Sequence, residues 1–195
     1  YLDDLKNNKN SSCIVFQNKT RVAVNNSARA FLGYSGENGD IQPKNNEILI
    51  SIANSEIGYN NGETFTFDES YEYVASGTVH YYGTVGGRSE KIATQMYLYF
   101  KIGKGKECSI PLIVVPKFFE PSVYHYQFVV DDIIELFDSD ENKKMMKYFI
   151  LQDESKSSKR KKKNITSKLN SNAVIATYGY AITAHKAQGS QWNTV

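Results

Sequence analysis

The chain has 195 residues, enough for one ordinary domain or for a small domain carrying an insertion, and too few for two large ones. Hydrophobic residues make up 41% and aromatics 13%, which excludes a chain that is disordered throughout. The net charge of +2 is unevenly spread: Lys156, Lys159, Arg160, Lys161, Lys162, Lys163 and Lys168 form a basic run without an acid, on a body that is otherwise mildly acidic.

No apolar run approaches the roughly 18 to 20 residues needed to cross a bilayer, and the first ten residues have neither a basic nor an apolar signal region. A soluble, cytoplasmic protein without a membrane partner is expected. Cys13 and Cys108 are too few for a disulfide framework, as suits a reducing compartment.

In chain order, Cys13–Phe16 is a short apolar run with β-branched residues, the pattern of a buried strand. Thr20 to Leu32 follows at helical spacing, with Val22, Ala23, Asn26, Ala30 and Phe31 as the expected apolar face and Gly33 as the stop. Strand, polar turn and helix make one α/β unit. The runs Ile48–Ile52 and Phe65–Phe67, joined through Asn61-Gly62, predict a hairpin. Further strands are expected at 71–74, 78–82, 95–102 and 110–115, divided by glycine clusters, as in a small antiparallel barrel or sandwich. From Val123 to Leu151 apolar residues alternate with acids and lysines as in amphipathic helices, and Ala173–Tyr178 reads as a last strand.

His80, His125 and His185 have no partner at metal or triad spacing. Neither a Gly-x-Ser-x-Gly elbow nor a G-x-x-x-x-G-K-[ST] phosphate loop occurs. The stretch from Tyr178 to Trp192 is different, because it joins a β-rich run to Thr, His, Lys, Gln, Gly and Ser in close succession. Small polar side chains with a glycine let backbone approach phosphates, and Thr, His and Lys supply donors.

The string Tyr180-Ala181-Ile182-Thr183-Ala184-His185-Lys186-Ala187-Gln188-Gly189-Ser190 resembles motif V of superfamily 1 helicases of the RecD/Dda/Pif type, T-x-H-K-[SA]-Q-G-[SM]. Cys13 to Asn25 resembles the strand and T-N-x-x-x-x-x-x-N segment opening the second RecA-like domain of that family, with Gln17 where the family usually has Thr. Asn61-Gly62-Glu63, after Gly39-Asp40 and Ile48–Ile52, is similar to the segment leading into the family's inserted SH3-like domain. The three matches occur in the family's order.

The resemblance implies an α/β fold: part of a RecA-like P-loop NTPase domain that lacks Walker A, interrupted by a β-rich, SH3-like barrel. Residues 1–67 would be the first part of the second RecA-like domain. Residues 68–172 would be the insertion, with a helical tail and basic loop, and 173–195 the return carrying motif V. By the same resemblance, Thr183, His185, Lys186, Asn18 and Asn25 contact or couple single-stranded DNA. Gln188, Gly189, Ser190 and Gln191 face the nucleotide cleft, Gln191 standing where relatives often carry Glu. Lys159, Arg160, Lys161, Lys162 and Lys163 form a candidate DNA loop, against the reading of a solvated charge run. Tyr81, Tyr82, Tyr97 and Tyr99 are candidate stacking platforms, against the reading of barrel packing.

The resemblance further implies ATP and Mg2+ as ligands of a full-length protein, an N-terminal RecA-like domain as partner, and a fragment that alone binds neither ligand and hydrolyses no ATP. The alternative is a non-catalytic single-stranded nucleic-acid-binding β-barrel module.

Overall fold

The computed structural model describes residues 5, 7, 12–35, 41–85, 88–101, 110–116, 127–137 and 173–187. The chain is mixed α/β with strand predominating. In chain order the elements are β1 (Cys13–Val15), α1 (Asn18–Phe31), β2 (Ile48–Ser51), β3 (Thr64–Thr66), β4 (Tyr71–Val85) and β5 (Arg88–Lys101). They continue as β6 (Ile110–Val114), β7 (Gln127–Phe128), α2 (Val130–Glu135), β8 (Val174–Tyr178), β9 (Ala181–Thr183) and α3 (Ala184–Ala187). Among the described residues no helix is long and apolar enough to cross a membrane.

The strands form two sheets. β1 and β9 pair in parallel, Cys13 opposite Ala181 and Val15 opposite Thr183. The other seven run in the order β3-β2-β8-β6-β5-β4-β7. β8 lies in the interior of the larger sheet, third of the seven strands, parallel to β6 and antiparallel to β2. Its sequence is apolar almost throughout because both its faces and both its edges are covered. One face packs a core containing Val79, Tyr81, Met96, Leu98, Ile113, Ile133 and Ile175. The opposite face packs Leu49, Tyr97, Tyr99, Leu112, Val174, Ala176 and Tyr178.

Strand pairing crosses both expected boundaries at 68 and 172. β2 and β3 come from the first segment, β4 to β7 from the second and β8 from the third, and all are hydrogen-bonded into one sheet. The physical reason is β8 itself: buried on both faces, it needs β2 on one edge and β6 on the other to satisfy its backbone.

Some expected elements shift. The strands anticipated at 71–74 and 78–82 are one strand, β4, with a bulge between Tyr73 and Ala75, and its partner β5 starts at Arg88. Gly83 therefore lies within paired β4, opposite Glu90. Gly77 lies in β4 where Leu136, just past α2, crosses so closely that a Cβ would overlap its Cδ2. The expected hairpin is present as β2–β3, with Ile48 opposite Thr66. Of the expected helical stretch from Val123, the described part is β7 and then α2; residues 138–151 lie outside the described residues.

α1 stops as anticipated. Gly33 adopts φ 76°, its N–H bonds the carbonyl of Ala30, and the N–H of Tyr34 reaches back to Arg29. This is a Schellman closure, which needs the left-handed residue that glycine supplies. Gly179 serves a different need. A Cβ there would meet Ile48 Cγ2 at 3.0 Å and the Leu49 carbonyl carbon at 3.3 Å, so its constraint is space beside backbone.

The two glycines should respond differently. Gly33→Ala has open space around it and should cost only the left-handed penalty, about 1 kcal/mol. Gly179→Ala should cost about 1 to 3 kcal/mol by pushing β2 from β8. Urea unfolding would check both, and a cost at Gly179 that vanishes would mean that β2 yields freely.

A candidate functional site at the β8–β9 corner

β8 ends at Tyr178 and β9 begins at Ala181, so two residues carry the chain from the larger sheet to the smaller. Such a corner exposes backbone groups that neither sheet can pair, and here five of them have partners of another kind. Gly179 N–H donates to the Ile48 carbonyl at 2.9 Å, and Cys13 N–H donates to the Tyr180 carbonyl at 2.8 Å. The Ser12 hydroxyl donates to the Gly179 carbonyl at 2.6 Å.

The remaining two groups are satisfied by one side chain. Asn25 Nδ2 donates to the Tyr178 carbonyl at 3.0 Å, while its Oδ1 accepts from Ala181 N–H at 2.7 Å. Asn25 is 1% exposed. The expected DNA contact at Asn25 is thus corrected: its amide is committed at both ends to the backbone just before Thr183, and water or ligand cannot reach it.

Asn25 belongs to a polar row that the apolar periodicity concealed. Arg21, Asn25 and Arg29 stand four residues apart on α1, one above another on a single face. All three are buried, whereas Ala23, Asn26 and Ala30 of the expected apolar face are exposed. Arg21 Nη1 donates to Thr177 Oγ1 at 3.3 Å, and its Nε to Asn18 Oδ1 at 3.2 Å. The recurrence of Arg, Asn and Arg at four-residue spacing was the available signal.

Arg29 makes the strongest contact of the row. Its Nε and Nη2 reach the two carboxylate oxygens of Glu47 at 2.7 and 3.0 Å, in a bidentate fork. Nη2 also donates to the Gln42 carbonyl at 2.8 Å, and the guanidinium stacks over Tyr178 with its carbon 4.2 Å from the ring centre. Glu47 further accepts from Lys44 N–H at 2.8 Å and from the Tyr180 hydroxyl at 3.2 Å. Tyr178 in turn donates its hydroxyl to the Ile41 carbonyl.

Burial shapes the protonation of this cluster. It pushes the Glu47 carboxyl above its ordinary range, against the pull of Arg29, Lys44 N–H and Tyr180. Burial is the largest influence on Arg29 and opposes its charge, but the hydrogen bonds it donates to Glu47, together with the surrounding Tyr178, Glu47 and Tyr180, outweigh burial and the guanidinium is held protonated. Burial first, and the Glu47 charge second, raise the Tyr178 and Tyr180 phenols well above their usual value.

The other expected residues fall as follows. Thr183 ends β9, is buried, and lies opposite Val15. His185 and Lys186 take their backbone place in α3, with side chains outside the described part. Asn18 opens α1, and Gln17 before it makes no side-chain cap bond. Gln188, Gly189, Ser190 and Gln191 lie outside the described residues, as do Lys159, Arg160, Lys161, Lys162 and Lys163. Among the candidate stacking tyrosines, Tyr81, Tyr97 and Tyr99 are buried in the two cores, which corrects that reading for them; Tyr82 is 45% exposed. Among the described residues no group of His, Cys, Asp or Glu is arranged to hold a metal ion.

No family model matches the chain, and no curated protein matches it either.

Two outcomes follow from the cluster. Glu47→Gln should cost about 3 kcal/mol in urea unfolding, because Arg29 keeps its charge in the interior; a joint Arg29→Met, Glu47→Leu replacement should recover much of that loss. A phenol raised in the folded state deprotonates first in the unfolded chain, so stability from Tyr178 and Tyr180 is complete below pH of about 10 and declines above it. Tyr180→Phe should make the decline shallower, and an equally steep decline would place its origin elsewhere.

Proposed function

We propose that this chain contributes part of the second motor domain of a superfamily 1 DNA helicase of the RecD/Dda/Pif type, with a β-rich SH3-like insertion. The observation that carries the reading is the pairing of β1 with β9. The two segments that separately resemble helicase motifs, Cys13 to Asn25 and Tyr180 to Ser190, lie far apart in sequence. In the fold their strands are parallel neighbours, and Asn25 of the first hydrogen-bonds Ala181 of the second across 156 positions. A parallel strand pair with a helix returning over it is the unit from which RecA-like sheets are built.

The outer side of that pair also supports the reading. Phe16, next to β1, is 95% exposed and Ile14 48%. Parallel strands are normally covered on both faces, so an apolar outer side on the described β1–β9 pair suits a larger sheet or a further domain packing against it. On this reading ATP and Mg2+ belong to the full-length protein, where a further RecA-like domain supplies the phosphate loop and the metal ligands.

The roles follow from position. Buried Thr183 transmits strain between β9 and α3 instead of touching the strand, and Asn25 positions that segment by fixing the corner. His185 and Lys186 are the strand contacts, while Gln188, Gly189, Ser190 and Gln191 serve the nucleotide side. A translocating motor benefits from contacts that can be made and broken repeatedly, so neutral donors with few fixed charges suit it.

Fluorescence anisotropy with single- and double-stranded oligonucleotides at several salt concentrations tests the proposal. Salt-sensitive binding that favours single strands is expected, weakened about tenfold by joint Thr183→Ala and His185→Ala replacement. Absence of binding at low salt, or a double variant that binds as tightly as the parent, would overturn it.

A further inference from the structure

The turn between β2 and β3 holds a reactive pair. Asn61 is followed by Gly62, and glycine, having no Cβ, is the residue that least obstructs attack by its own backbone nitrogen on the preceding side-chain amide. Asn61 is also exposed to water, the other reactant. By local sequence this asparagine should lose its amide readily. The contacts of Gly62 oppose that outcome.

Glu63 N–H donates to the Asn60 carbonyl at 3.0 Å, closing a four-residue turn in which Gly62 stands third with φ 91°. That is the type II pattern, which requires a left-handed residue at this place. The turn runs into a bulge where two residues face one. Gly62 N–H donates to the Ser51 carbonyl at 2.8 Å, and Ser51 N–H donates to the Glu63 carbonyl at 2.8 Å. Ser51 is fully buried and pairs with Ala176 of β8 on its other edge. The nitrogen that would attack Asn61 is therefore buried itself and bonded to an interior strand of the larger sheet.

Further tethers hold the turn from the solvent side. Asn61 N–H donates to Asn54 Oδ1 at 2.8 Å, and Asn60 N–H donates to Glu63 Oε2 at 2.9 Å. Asn54, Asn60 and Glu63 are exposed, so these bonds compete with water and each adds modestly to closure. The turn can thus open while the pairing of β2 with β8 stays intact, as a local event at the end of a hairpin.

We infer that Asn61 is a gated self-modification site: with Gly62 N–H bonded to Ser51 it stays asparagine, and each opening of the turn exposes it to conversion into aspartate or isoaspartate. In that reaction the Gly62 nitrogen gives its proton to hydroxide and bonds Asn61 Cγ. The bond from Cγ to Nδ2 breaks, and Nδ2 takes a proton from water and leaves as ammonia. Water then opens the cyclic imide at either carbonyl. Isoaspartate routes the main chain through the side-chain carbon and lengthens it by one atom, so Gly62 and Glu63 can no longer both meet Ser51. Opening is thereby recorded irreversibly. This site involves only the β2–β3 turn and is independent of the helicase reading.

The test holds the 195-residue chain at mildly alkaline pH, folded or in concentrated urea, and follows isoaspartate by peptide mapping and methyltransferase labelling, which separates Asn61-Gly62 from Asn38-Gly39. Conversion at Asn61 should be at least about tenfold slower in the folded chain. Exchange protection of the Gly62 amide should match that factor within about threefold, because both reactions wait for the same bond to Ser51 to break. Asn54→Ala removes one tether and should raise the folded rate about threefold, with the rate in urea unchanged. Equal rates in the folded and unfolded chain overturn the gate, as does rapid conversion beside a strongly protected Gly62 amide. An Asn54→Ala chain as slow as the parent overturns local opening as the route and leaves global unfolding in its place.

Discussion

The buried pair of Arg29 and Glu47 is the constraint around which the rest of this structure is arranged. Taking two charges out of water is costly, and their mutual attraction repays that cost only when the remaining donors and acceptors are also used. Each remaining requirement recruits another part of the chain: the Gln42 carbonyl, the Lys44 N–H, the Tyr180 hydroxyl and the Tyr178 ring. The pair therefore fixes where the loop before β2, the end of β8 and the start of β9 must lie relative to α1. A pair of this kind adds little net stability over a well-packed apolar equivalent. Its effect is to leave the helix one workable register, since a shift by a single turn would strand a charge in the interior.

The same logic extends down the helix. α1 carries a buried face that is polar at four-residue intervals because the surface it covers is not an apolar sheet but a break between two sheets. Apolar side chains could not satisfy the carbonyl of Tyr178 or the N–H of Ala181, whereas an amide with a donor and an acceptor satisfies both. Asn25 is accordingly a residue of placement: it fixes the backbone leading into the Thr183 to Lys186 segment.

Local features were legible in the sequence and long-range ones were not. The strand at Cys13, the helix ended by Gly33, the β2–β3 hairpin and the apolar strand at Val174 each follow from short-range pattern, and the structure has them. The continuous β4 was missed because glycine clusters such as that at Gly83 read as dividers; Gly83 is accommodated within paired strands, and Gly77 marks a crowded crossing by Leu136. The joining of residues 68–172 to the flanking strands was hidden because pairing of β6 with β8 joins positions as distant in sequence as Leu112 and Val174 and leaves no periodic trace. At the corner, the sequence pattern does not single out Arg21 and Arg29, since nothing local announces that Thr177 and Glu47 will meet them. Tyrosines posed a similar problem: adjacent Tyr81 and Tyr82 have opposite fates, which strand alternation dictates only once the register is known.

The two-residue link between β8 and β9 has a mechanical consequence. A hinge needs backbone with spare torsional freedom, and here the carbonyls of Tyr178, Gly179 and Tyr180 and the N–H groups of Gly179 and Ala181 are tethered to α1, β2, β1 or Ser12 just before it. The link is accordingly an elbow locked in its bend. A displacement imposed on α3 and the end of β9 would then be carried into the interior of the seven-stranded sheet as a rigid lever stroke, with β8 as the shaft.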